Sequence, residues 1–386
     1  MNIIFISSKS AYTSMSFGGA ESSLQLMAEK LSSRGHSVNY ITRDFCVRSK
    51  IKQIDNVRLH IIPRLKGESK LGIIRTLNNN ILECYLKKII KKNNIDIIYC
   101  YYELSILTPL LKIKEVSYHP KIVMRMAGLH WYEKSKESDI LLESYNNIFN
   151  KIDSVNYIHS GLKDLTEIKL AELNMDVNFK DSFNLDIGSS FTYKREAEYR
   201  GLDNKEFRVL MATRFSNYQK RQDLLVKAIS LIDESIKIKV KLIGNGSERE
   251  RIQKMIDDLK LNSKVEIIPF MDQHQLWEEM QSSDLLCHAC DYEGLGKIII
   301  ESMAMGLPVL ASKVKPLSDY IEEGVNGFLV DNTPEAWANK IQDLIDQRSE
   351  RIYVSQESIK FIEENFNPDK NIEKYEEKFR EIIETK

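Results

Sequence analysis

The sequence is short of several things at once, and each shortage removes a class of function. Its 386 residues contain no apolar run approaching the ~20 needed to span a bilayer. The start, MNIIFISS, lacks the basic opening and long apolar core of a signal peptide and reads instead as a strand. A net charge of −1 gives no overall attraction to nucleic acid. The five cysteines (Cys46, Cys84, Cys100, Cys287, Cys290) are odd in number and scattered, which suits a reducing compartment and not a disulfide framework. Cys287-His-Ala-Cys290 is half a zinc motif without a second half and reads as strand-to-loop structure. No GxGxxG, no well-placed Asp-x-Asp and no repeat or low-complexity tract is present. The expected location is the cytoplasm.

What the chain does have is length for two or three domains, at roughly 150 residues each. Hydrophobic content of 42% with 29% charged residues is ordinary for a folded protein with a sizeable core. Asn2–Ser7 reads as a buried strand, Gly18-Gly19-Ala20-Glu21 opens a helix that Gly35 ends, and Ser37–Thr42 is the next strand. This is the start of a doubly wound parallel sheet with a glycine-rich first turn. Further strands are expected at Val57–Ile62, Ile95–Tyr101, Lys121–Arg125 and Ser154–Ile158. The polar stretch Ser189–Glu206 suits a linker. A second α/β series follows, with strands at Phe207–Ala212, Ile238–Ile243 and Val265–Ile268.

The most informative stretch is DLLCHACDYEGLGKIIIESMAMGLPVLAS, from Asp284 to Ser312. It reads as a strand, a loop with Gly294 and Gly296, a helix stopped by Gly306, and another strand. A glycine-opened helix start is a ready anion site, because its first N–H groups lack partners and carry partial positive charge. Glu293 and Glu301 frame it. Eight helical residues would span ~12 Å, room for one phosphate-linked molecule with hydroxyls at both ends. Upstream, Arg214 and Lys220 flank a strand-to-helix turn, a placement that suits a diphosphate.

Glu293-x7-Glu301, with EGLGK inside and GLPVLAS behind, resembles the signature of glycosyltransferase family 4, retaining enzymes of the GT-B fold. The resemblance implies two Rossmann-like doubly wound parallel-sheet domains facing across a cleft. The boundaries expected are 1–188 for an acceptor-binding domain, 189–206 for the linker, 207–366 for a nucleotide-sugar domain, and 367–386 for a helix packing back on the first domain. It further implies that Arg214, Lys220, Glu293 and His130 serve catalysis. Donor-binding positions carried over are Gly18, Gly19, Gly244, Phe270, Met271, Gly294, Leu295, Gly296, Lys297 and Glu301. In such relatives the second Glu binds ribose, the first contacts the sugar, and Pro269-Phe-Met-Asp272 cradles the base through backbone groups. Two departures stand out: Arg221 where Gly usually follows the Lys, and Asn184-Leu-Asp-Ile-Gly188, where only an Asn and a nearby Asp remain.

The function so implied is transfer of a hexosyl unit from a nucleotide diphosphate sugar, a UDP-sugar by expectation, to an acceptor hydroxyl in bacterial surface polysaccharide or glycoconjugate synthesis. No cofactor and no metal are expected. The acceptor would be a glycan, or linked to lipid or protein. From Lys50 to Lys92 basic residues outnumber acidic ones, and the basic segment 81–94 is a candidate for peripheral contact with an anionic membrane face. Two alternatives stay open on the sequence: a GT-B epimerase or hydrolase acting on the same donor, and a non-catalytic accessory subunit.

Overall fold

The computed structural model describes residues 1–13, 19–66, 72–113, 120–188, 199, 206–216 and 219–385. Gly18 and nearly all of the expected linker lie outside these residues. The chain divides into two compact units, Met1–Gly188 with Pro368–Lys386, and Ser189–Asn367.

Unit 1 runs β1 (Asn2–Ile6), α1 (Gly19–Ser33), β2 (Ser37–Asp44), β3 (Lys50–Ile54), β4 (Val57–Pro63), α2 (Gly72–Asn93) and β5 (Ile97–Tyr101). It continues with α3 (Leu104–Ile113), β6 (Lys121–Met126), α4 (His130–Ser135), α5 (Asp139–Phe149), β7 (Ser154–Tyr157), α6 (Ser160–Glu172) and β8 (Ser182–Asn184). Its sheet has the order β3-β4-β2-β1-β5-β6-β7-β8, parallel except for the antiparallel edge strand β3. The central strands β1 and β5 are apolar runs because both of their faces are covered. The sequence reading missed β3 and β8. Lys50–Gln53 are all exposed and Ser182–Asn184 is three residues long, so neither carries a hydrophobic period.

Unit 2 runs β9 (Phe207–Ala212), α7 (Gln222–Leu231), β10 (Ile238–Ile243), α8 (Arg249–Asp258), β11 (Val265–Ile268), α9 (Gln273–Gln281) and β12 (Leu285–His288). Then come α10 (Lys297–Ala304), β13 (Val309–Ser312), α11 (Leu317–Tyr320), β14 (Phe328–Val330), α12 (Pro334–Asp346) and α13 (Arg348–Asn365). The final helix, α14 (Pro368–Glu384), belongs to unit 1. There Ile372, Tyr375, Phe379 and Ile382 join the core built on Phe5, Met27 and Tyr99.

The sheet of unit 2 is parallel, in the order β11-β10-β9-β12-β13-β14. After β9 the chain moves outward one way through β10 and β11, then returns to the other side of β9 for β12. That reversal opens a crevice at the carboxyl ends of β9 and β12, where open α/β sheets bind ligands. The two loops carrying the sequence's strongest motifs leave from those two strands.

Candidate active site

The loop after β9 is held against the loop after β10 by close backbone contact. Thr213 N–H donates to the Ile243 carbonyl (3.0 Å) and Phe215 N–H to that of Asn245 (3.0 Å). Gly244 and Gly246 have φ of 147° and 155°, and a Cβ there would stand 2.2 Å from the Thr213 oxygen and 2.0 Å from the Phe215 oxygen. Only glycine permits both the dihedral and the approach. Buried Gln222, at the start of α7, donates to Thr213 Oγ1 (2.9 Å) and to the Arg214 carbonyl (3.0 Å), fixing the turn that presents the exposed Arg214.

The same loop is zipped to the loop after β12. Lys220 and Cys290 form an antiparallel bridge, Arg221 N–H donates to the Ala289 carbonyl (3.0 Å), and Asp291 N–H to that of Gln219 (3.0 Å). Arg221, the departure from the family pattern, clamps this junction: its guanidinium reaches Asp223 (3.0 Å) and Asp291 (2.8 Å).

This pairing brings Lys220 to Glu293. The ammonium contacts Oε2, and both side chains are nearly buried. His288 Nε2 lies 2.7 Å from the same oxygen, and Lys220 Nζ is 3.2 Å from that ring nitrogen. Glu293 Oε1 accepts from Gly294 N–H (2.9 Å) and Gln219 Nε2 (3.4 Å). Burial pushes the Glu293 carboxyl up, but Lys220 and His288 more than offset it and hold it well below the usual carboxylate range. Burial, aided by Lys220, lowers His288, so the ring is neutral at pH 7.

His288, Cys290 and Glu293 place ligand atoms within 4.8 Å of one another, a spacing able to hold a metal ion. The charge of Lys220 already meets that of Glu293 at this point. Burial pushes the Cys290 thiol up to about 12, and Cys287 is packed in the hydrophobic core of the unit.

Glu293 itself is not helical. The helix α10 begins at Lys297 behind Gly296, whose φ of 71° is left-handed, so the helical estimate of the Glu293–Glu301 separation does not apply. Glu301 lies in the second turn of α10 and accepts from Gln273 Nε2 of α9 (3.1 Å). Leu295 is buried, and its carbonyl accepts from Tyr320 OH (2.6 Å). Phe270 is 51% exposed just past β11, Met271 is half-buried, and Phe270 N–H approaches Asn245 Oδ1 at 3.4 Å.

In unit 1, Gly19 opens α1 and its carbonyl accepts from Ser22 and Ser23 (3.1 and 2.8 Å). His130 is exposed at the first residue of α4, while its neighbour Trp131 is buried among Tyr145 and Phe149. Of the proposed catalytic residues, the structure brings Lys220 and Glu293 into contact and sets Arg214 on the same loop as Lys220. His288 was given no role from the sequence, and Arg221 was noted only as a departure from the family pattern. The signals were there, a polar residue closing an apolar strand and a cation where glycine is usual, but neither names its partner. A separate concavity of about 710 Å³ lies along the N-terminal halves of β9, β10 and β11. Its charges are largely engaged with one another or with backbone, as in Lys241–Glu279 (2.6 Å) and Lys239 with the Ser263 carbonyl (2.5 Å).

Two family models match the chain: Glycosyltransferase Family 4 over residues 17–155 and Glycosyl transferases group 1 over residues 193–361. A curated relative, N-acetyl-alpha-D-glucosaminyl L-malate synthase of Bacillus anthracis, is 22% identical, covering 92% of each chain. Among solved structures, sucrose-phosphate synthase from Thermosynechococcus elongatus superposes with a TM-score of 0.84 at 18% identity over the full length of both chains. HepE of Anabaena, solved with UDP and glucose, gives 0.73 at 16% identity, covering 99% of this chain and 100% of that one.

Proposed function

Because this chain belongs to the family 4 glycosyltransferases and has their GT-B fold, we propose that it moves a hexosyl unit from a nucleotide diphosphate sugar to an acceptor hydroxyl, with retention at the anomeric carbon. The observation that carries this reading is the Lys220–Glu293 contact at the switch point of unit 2, beside the glycine-led start of α10. As the anomeric C–O bond breaks, negative charge grows on the leaving diphosphate. Lys220, Arg214 and the amides that lead into α10 at Gly296 and Lys297 are the groups to stabilise it, and one such preorganised donor is worth ~3–4 kcal/mol. The Gly294 amide is spent on Glu293 Oε1.

Glu293 is ionised and surrounded by donors, which suits orienting a sugar hydroxyl better than attacking carbon. The leaving phosphate is then the base for the incoming hydroxyl, on the same face. Glu301 takes the ribose, and the backbone near Gly244, Phe270 and Met271 takes the base. In unit 1, His130 is proposed to hydrogen-bond a hydroxyl of the sugar. A UDP-sugar is the donor of choice, since HepE was solved with UDP.

We place the reaction in glycan synthesis at a membrane face. No helix among the described residues is long and apolar enough to cross a membrane. The basic segment 81–94 remains the proposed contact: Leu82, Leu86, Ile89 and Ile90 are buried in unit 1, while Lys87, Lys88, Lys91 and Lys92 are exposed, Lys87 paired with Glu83. Exposed apolar side chains in this stretch of unit 1 include Phe45, Val47, Ile51, Leu65, Ile73 and Leu77.

The test is a thermal-shift panel of nucleotides and nucleotide sugars, with Lys220→Ala and Glu301→Ala alongside. A ligand at 100 times its dissociation constant adds ~2.7 kcal/mol. One nucleotide class should raise the midpoint, with the shift lost in both variants. Silence across the panel would overturn the donor site. Incubating the matching sugar donor with no acceptor separates transfer from epimerisation.

A further inference from the structure

Glu293 sits in a loop, whereas His288 closes β12 and is registered against Ala311 of β13. The chemistry of their contact is decided by hydrogen count. An ionised carboxylate only accepts, so the 2.7 Å approach of Nε2 to Oε2 requires a proton on Nε2. Once it carries that proton, Nε2 has no lone pair for Lys220, and the ammonium donates to Glu293 instead. The ring is neutral, so Nδ1 is bare. Nδ1 is buried with no hydrogen-bond partner, a state an acceptor tolerates better than an orphaned N–H would.

Glu293 is thus held by two kinds of donor. His288 Nε2–H comes from a strand, and Gly294 N–H from the adjoining backbone. Lys220 comes on a flexible four-carbon stem, and the proposed reaction asks it to serve the diphosphate as well. We infer that His288 is a positioning residue that keeps the Glu293 carboxylate in place while Lys220 exchanges it for the donor's diphosphate. This rests on the donor-site reading above. His288 touches no reacting atom on this account and acts through Glu293.

Two measurements test it. The first needs no donor: a two-bond ¹H–¹⁵N spectrum of protein labelled at its seven histidines, with His288→Gln identifying the signal. The neutral Nε2–H tautomer is expected, and an Nδ1–H or imidazolium pattern would overturn the inference. The second compares His288→Gln, His288→Asn and His288→Leu in transfer from the donor found by the panel. The Gln amide nitrogen stands about where Nε2 does, and the Asn amide falls one methylene short. His288→Asn and His288→Leu should lose roughly ten- to a hundredfold in kcat, the scale of one hydrogen bond to a charged group. The donor KM should move less than about threefold, and His288→Gln should recover most of the rate. Equal losses in all three variants, or losses that track the melting midpoint, would overturn the positioning role. The expected spectrum in a protein that turns over no donor would instead sink the donor-site reading, and with it the exchange at Lys220.

Discussion

Arg125 of β6 donates to Asp186, beyond β8, across 2.5 Å, and both side chains are almost wholly buried (2% and 3% exposed). The guanidinium also donates to Tyr99 (3.2 Å) and to Tyr375 of α14 (3.1 Å). Tyr375 OH donates to the Leu185 carbonyl (2.7 Å), and Asn371 of α14 to that of Asp186 (2.9 Å). The last helix of the chain is therefore fastened to unit 1 by a polar knot beneath its apolar face. Asp186, a remnant of a run that departs from the family pattern, has a structural task.

Asp186→Ala leaves the Arg125 charge buried with no carboxylate, and should destabilise the protein by about 3–5 kcal/mol in urea unfolding. The double variant Arg125→Met with Asp186→Leu should lose much less, because no charge is then stranded. A double variant as unstable as the single one would show that the pair does more than neutralise itself.

Gly244→Ala and Gly246→Ala force a Cβ onto a backbone oxygen at a φ that L-residues avoid. Each should cost at least ~2 kcal/mol and weaken the nucleotide-dependent thermal shift. Gly72→Ala, with nothing within 4 Å of the added carbon, serves as control and should change stability by under ~0.5 kcal/mol.

Arg221→Ala removes the clamp between the loops after β9 and β12. Its partners are partly solvated, so stability should fall by less than ~1 kcal/mol. The donor KM should rise, because the loops that carry Lys220 and Glu293 are no longer registered. Unchanged steady-state kinetics would show that the backbone zipper alone suffices.

Glu376 of α14 carries an acid-labile contribution. Burial pushes its carboxyl up, but hydrogen bonds and charge from Arg34 and His36 of unit 1 outweigh that and leave it below its ordinary value. A carboxylate depressed in the folded state stabilises fully above its unfolded pKa, ~4.3, and that contribution fades as pH falls through the folded value. Glu376→Gln should therefore be less stable than the parent at pH 7, and urea melts of the two should converge as pH falls through the depressed folded-state value.

Much of the fold was readable locally. Phe207–Ala212, Ile238–Ile243 and Val265–Ile268 occupy the strand limits expected of them, because short β-rich segments whose buried positions (Phe207, Val209, Ile238, Val240, Leu242, Val265) alternate with exposed Arg208, Lys239 and Glu266 keep that pattern whatever lies beside them. The edge strands β3 and β8 escaped for the converse reason: exposed or very short strands impose no pattern. Glu293 was placed on a helix scale because the loop between Asp291 and Gly296 has no marker of where the helix begins other than Gly296 itself.

By itself the sequence determined the α/β rhythm, the glycine turns and the residue types of the candidate site, all properties of short stretches. Only the tertiary structure decided which of those residues act on one another. Lys220 meets Glu293 across 73 positions, Arg221 meets Asp291 across 70, and Arg125 meets Asp186 across 61. The first two pairings follow from strand order in unit 2, where β12 returns beside β9 and not beside β11, and the third from β8 lying one strand beyond β7 from β6 in unit 1. The burial that sets the charge states of Glu293 and His288 exists only once the two loops have closed together.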